Sequence, residues 1–306
     1  MISDRKSISY MKKIPLLFIL SLLLSENSNA QNPNYVPVEQ NKKWGVQKTS
    51  TKEMIVPYQY DEVTEFYGGI AGARNGKFFA IMDTTGKLLS PFQYTWVEIS
   101  DYDLCDEAEE SLIRIAKGNK NGIWLKNKEI VPCEFDIIEE CGAEFYRNFR
   151  LIVVIKGNKE GIYDAKGNQL IEPKYDDITA SWEDGVKLLY SRKGRLYGVI
   201  DSLGNIVTEP KYSHLPDVLE EDNRFLTVKA KGKWGMIDAK GKEILPTEYD
   251  LIDGYTSQQH RYVFVVKEGR VGVYDIQTQK EFVPCQFMDY DEIMTKYPDK
   301  WKEVIK

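Results

Sequence analysis

Phe225-Leu226-Thr227-Val228-Lys229-Ala230-Lys231-Gly232-Lys233-Trp234-Gly235-Met236-Ile237-Asp238-Ala239-Lys240-Gly241-Lys242-Glu243-Ile244-Leu245-Pro246-Thr247-Glu248-Tyr249-Asp250-Leu251-Ile252 is the stretch that decides the fold. It reads as strand, turn, strand, turn, strand, because short β-branched and aromatic runs alternate with turn residues. Asp238 opens the second turn by bonding the backbone, and Gly241 takes the positive φ that such a turn demands. Pro246 ends the third strand, since proline cannot donate to a ladder. Tyr249 and Ile252 follow as a fourth short strand or a packed corner. No run in this stretch has the 3.6-residue period of a helix.

The same phrase recurs seven times. The glycine equivalent to Gly235 stands at Gly45, Gly122, Gly161, Gly198 and Gly272, with Ala80 in the second copy, at spacings of 35, 42, 39, 37, 37 and 37 residues. A proline follows each at Pro57, Pro91, Pro132, Pro173, Pro210, Pro246 and Pro284. The units fall at about 34–63, 69–97, 111–138, 150–178, 186–215, 224–252 and 261–293. The fold class is therefore all-β, a repeat protein of short β-meanders. Seven meanders fit a propeller-like ring, and an open superhelical β-solenoid is the alternative. The ring is favoured because the chain starts inside a unit at Tyr35, so the segment from Phe287 to Ile293 can supply the strand that the first blade lacks.

Residues 1–30 read as a signal peptide: basic residues from Arg5 to Lys13, an apolar run of 11 residues from Ile14 to Leu24, and a cleavage point at Ala30/Gln31. That run is too short to span a bilayer, which needs roughly 20 apolar residues, so the mature chain has no expected transmembrane segment. Export to the periplasm, cell surface or medium follows. The formal charge of −6 becomes −8 after cleavage, which argues against a general nucleic-acid binder. Residues 294–306 read as a short helical tail.

Trp44-Gly45, Trp234-Gly235 and the phrase Gly-Lys-Trp-Gly-x-Ile-Asp-x-x-Gly-Lys-x-x-x-Pro-x-x-Tyr-Asp in the sixth copy resemble the tryptophan-glycine (WG) repeat proteins of bacteria. The resemblance spans roughly 34–293, although the Trp-Gly pair is intact in two copies only. It implies a β-rich repeat array in an exported or multidomain bacterial protein and carries no catalytic residues over.

Chemistry is sparse. Two histidines, His214 and His260, and four cysteines, Cys105, Cys133, Cys141 and Cys285, show no metal-ligand spacing, and no nucleophile or phosphate-loop motif occurs. No cofactor and no metal are expected. The Asp-x-x-Gly elements at Asp83, Asp164, Asp201 and Asp238 read as hairpin turns, not calcium loops. The remaining candidates lie in acidic connections: Asp101, Asp103, Asp106 and Glu107 before the third copy, and Trp182 before the fifth. Three readings follow. The first is a non-catalytic interaction module for a protein partner in the cell envelope. The second is a carbohydrate or cell-wall binder, which needs exposed aromatics; Trp44 and Trp234 sit at the repeat positions for it. The third, a hydrolase at a ring centre, needs carboxylates such as Asp164, Asp201, Asp238 and Asp275 to converge.

Overall fold

A computed structural model describes residues 34–98, 112–138, 149–181, 188–219, 222–255 and 261–305. Seven antiparallel sheets follow one another along the chain. In the fourth, the strands Ile137–Ile138, Leu151–Lys156, Lys159–Asp164 and Gln169–Tyr175 lie in sequence order. Four further sheets share this order, and the first two have three strands each. The segment after every repeat aromatic but the last is the leading strand of the next sheet: Tyr175 ends the fourth sheet, Asp176 turns the corner, and Asp177–Ser181 opens the fifth.

The repeat glycine has a steric reason. The register between the third and fourth strands slips at Gly161, between Glu160↔Tyr175 and Ile162↔Ile171. There the fourth strand passes so close that a Cβ on Gly161 would stand 2.6 Å from the Ile171 carbonyl oxygen. Ala80 carries that Cβ in the second unit, and the fourth strand is not laddered there. Two isolated bridges, Phe79↔Tyr94 and Met82↔Leu88, take its place, and the Ile81 amide donates instead to Ser90 Oγ at 2.8 Å.

Seven apolar clusters form the core, and six of them each join two consecutive sheets. Ile162, Ile171 and Tyr175 of the fourth sheet pack with Ile178, Leu189 and Ile200 of the fifth, while Ile152, Val154 and Tyr163 on the other face of the fourth pack with the third. The position two after the repeat glycine always faces backward: Met82, Trp124, Tyr163, Ile200, Ile237 and Tyr274 all pack against the preceding sheet. In the first unit that position is Gln47, whose Nε2 donates to the Lys52 carbonyl at 2.8 Å.

The trailing face corrects one expectation: the segment from Phe287 to Ile293 supplies no strand to the first sheet. The segment after Phe287 is helical: Asp289 Oδ1 accepts from the Glu292 amide and Glu292 Oε2 from the Met288 amide, both at 2.9 Å, a reciprocal cap that starts helix α1, Tyr290–Lys296. Helix α2, Pro298–Val304, follows. Ile293 and Val304 bury themselves against Val273, Val283 and Phe287 of the last sheet. Among the described residues seven sheets follow one another, and the two helices cover the trailing face of the last.

Candidate functional site

The strand order gives each sheet two rims. One carries the Asp-x-x-Gly turns and the connections from leading to second strands. The other carries the tight hairpins between second and third strands and the corners that lead to the next sheet.

At the first rim the carboxylates serve their own turns. Asp164 Oδ1 accepts from the amides of Lys166 and Asn168 at 2.9 and 2.8 Å, and its Oδ2 from the Asn168 side chain at 2.8 Å. Burial pushes the Asp164 carboxyl up, but these bonds outweigh it and hold the group below the ordinary aspartate range. Asp201 and Asp238 make the same amide bonds, and Asp275 is buried and paired with Arg261 at 2.8 Å. Asp164, Asp201 and Asp238 are thus each engaged by their own turn and Asp275 by Arg261, and no metal-holding group occurs among the described residues. Asp101, Asp103, Asp106, Glu107 and Trp182 lie outside the described residues, as do Cys105, Cys141 and His260. Cys133 and Cys285 are free and half-buried, and burial first, with neighbouring glutamates, pushes both thiols up to about 12.

The second rim carries a recurring staple. Asp61, one residue past the repeat aromatic, accepts from Lys43 Nζ of its own unit at 2.8 Å and from the Gly76 amide of the next unit at 2.6 Å. Asp136 does the same with Lys120 at 2.5 Å and Gly157 at 2.7 Å. Asp176 bonds Lys159 and the Gly194 amide, and Asp250 bonds Lys233 and the Glu268 amide. The lysine bond first, then the amide, holds each of these carboxyls below its usual range.

Two junctions lack the staple, and there lysine and aspartate are lost together. Between the second and third units the pair is Phe78 and Thr95; between the fifth and sixth it is Leu196 and Ser213. Thr95 Oγ1 donates to the carbonyls of Ala116 and Gly118 at 3.2 and 3.3 Å, so the backbone is still served. Charge is gone, however, and apolar surface replaces it: Phe78 is 42% exposed and Trp96, one residue past Thr95, is 43% exposed. The repeat tryptophans behave otherwise. Trp44 is half-buried against the first core cluster, and Trp234 lies between the His214 ring at 5.5 Å and Lys229 Nζ at 4.8 Å. Reading along the chain misses Phe78 and Trp96. Reading the copies against one another finds them, because Lys and Asp are present or absent as a pair.

Segments 44–77, 161–186, 197–234 and 234–270 match the family model described as WG containing repeat. The chain is a WG-repeat protein. No curated protein matches this WG-repeat chain. Among solved structures, a eukaryotic initiation factor is similar at 10% identity, with 85% of this chain and 77% of that one covered and a TM-score of 0.28. Dihydro-heme d1 dehydrogenase NirN gives 10% identity, 83% and 64% coverage and a TM-score of 0.27. Kluyveromyces lactis Hsv2 gives 12% identity, 56% and 58% coverage and a TM-score of 0.24. Likenesses this distant carry no argument about function or about how the sheets are arranged. No helix among the described residues of the WG-repeat array is long and apolar enough to cross a membrane.

Proposed function

We propose that this WG-repeat array is an exported, non-catalytic interaction module that binds a protein partner in the cell envelope through the rim between its second and third units. The observation that carries the reading is that Phe78 and Thr95 replace the lysine and aspartate that satisfy each other in other units, and that Phe78 and Trp96, next to Thr95, are half-exposed. A repeat fold does not need this departure. Breaking a local rule without gain in packing is the mark of a functional position, and exposed aromatics beside a rigid scaffold are what protein interfaces use as anchors. Export is inferred from residues 1–30, whose basic, apolar and small-residue order is that of a cleaved signal.

The test is affinity capture from envelope extract with the full mature chain and with Phe78→Ser/Trp96→Ser. A partner retained by the first and lost by the second supports the reading. An identical set of captured proteins, or none, contradicts it. Exposed rings also suit a sugar face, so a cell-wall glycan panel is the second arm; glycan binding lost in the same variant would replace the protein partner with a carbohydrate.

A further inference from the structure

The second unstapled junction differs from the first in its charge. Leu196 stands where the staple lysine would be and is 40% exposed, and Leu215 beyond the corner is 48% exposed. Ser213 replaces the aspartate, its Oγ within 3.2 Å of both the Lys229 carbonyl and His214 Nδ1. Around the leucines stand exposed cations: Lys193 and Arg195 on the hairpin of the fifth unit, Lys211 at its corner and Lys231 on the next hairpin. None of these four has an ion pair among the described residues, and Lys211 rests over the Tyr212 ring at 5.1 Å. The acidic neighbours are already engaged. Asp176 holds Lys159 and the Gly194 amide, Asp177 holds Arg192 at 3.7 Å, and Glu209 holds Lys174 and the Tyr175 hydroxyl at 3.0 and 2.7 Å. A chain with a net charge of −6 thus gathers cations that stand outside any ion pair among the described residues around exposed leucines at one place.

We infer that the rim between the fifth and sixth units is a docking site for an acidic peptide segment that carries apolar side chains. Charge complementarity selects the acid, since an exposed cation cluster attracts and orients an anionic partner. The two leucines select a peptide, because they need apolar side chains to cover them and a polyanionic glycan has none. The site is also confined: at the flanking junctions the rim lysines are spent on Asp176 and Asp250. A long polyanion or a flat lipid surface would need the cations to continue along the rim. This site is separate from Phe78 and Trp96, so its failure would leave the reading of the second and third units untouched.

Fluorescence anisotropy of a labelled dodecapeptide of repeating Asp-Leu-Glu-Ser, titrated with the mature chain, tests the inference. A matched Asn-Leu-Gln-Ser peptide, phosphatidylglycerol vesicles and dextran sulfate are the controls. The acidic peptide should bind, should weaken with added salt, and should bind about tenfold more weakly to Arg195→Glu/Lys211→Glu, the loss expected from two exposed charge contacts. Leu196→Ser should weaken it at unchanged charge. Circular dichroism melting should not move in either variant, because all three side chains are exposed; should the charge reversal melt early, Arg195→Gln/Lys211→Gln replaces it. Equal binding of the neutral peptide, equal binding by the variants, or variant-sensitive binding of the vesicles or dextran sulfate in place of the peptide overturns the inference.

Discussion

The junction between the fourth and fifth units and that between the second and third are built on the same core and finished with different rims. Tyr175 and Tyr94 are both fully buried, and each donates its hydroxyl to a glutamate of the following unit, Glu209 at 2.7 Å and Glu129 at 2.9 Å. Above that shared core, Asp176 ties Lys159 to the next hairpin, whereas Thr95 leaves Phe78 and Trp96 exposed. Stacking of the sheets is thus decided by the buried aromatic and the apolar strands. The rim is then free to be either self-satisfied or available.

The largest effect should therefore be indifferent to the rim. Tyr175→Ala and Tyr94→Ala each empty a fully buried ring site and should each cost about 3–5 kcal/mol in chemical denaturation. A cost at Tyr94 far below that at Tyr175 would show that the unstapled junction is loosely packed, and the likeness of the two cores would fail. Next, Gly161→Ala drives a methyl to 2.6 Å from the Ile171 carbonyl oxygen and should cost about 1–3 kcal/mol, the range for forced overpacking. Ala80→Gly removes a methyl where no fourth strand is laddered and should cost only about 1 kcal/mol, the penalty of glycine's backbone freedom inside a strand. If the two substitutions cost the same, the steric reason given for the repeat glycine is wrong.

The smallest effect separates the rims by pH. The Asp176 carboxyl is held below its unfolded value by Lys159 and the Gly194 amide. Its contribution is accordingly present at neutral pH and fades as pH falls from the ordinary aspartate range, about 4, toward the lower folded value. Asp176→Asn should flatten the acid limb of the stability curve slightly, and Thr95→Val should leave that limb unchanged. An acid limb insensitive to Asp176→Asn would remove the staple from the account.

Much of this was legible in the sequence, for physical reasons. A repeat glycine, a turn aspartate and a strand-ending proline act through their immediate backbone, so Gly161, Asp164 and Pro173 announce their roles locally. The end of the array does not. Phe287 matches the repeat aromatic, so repeat phase points to a strand after it, and only Asp289 with Glu292, a reciprocal cap, marks the change from strand to helix. The staple is non-local, 16 to 18 residues from lysine to aspartate and a further 15 to 21 to the donating amide. It becomes visible only when Lys43, Lys120, Lys159 and Lys233 are aligned with Phe78 and Leu196. Among the described tryptophans the exposed one is Trp96, because Trp44 packs on the first cluster and Trp234 against His214 of the preceding corner and Lys229.

The central claim is that the rim between the second and third units is available for binding because its staple is missing. Phe78→Lys/Thr95→Asp writes the staple back, with the introduced carboxylate placed to accept from the introduced ammonium and from the Gly118 amide as its counterparts in the other units do. We expect an unchanged or slightly raised melting temperature together with loss of the captured envelope partner. An equally stable variant that still captures the same partner would contradict the claim.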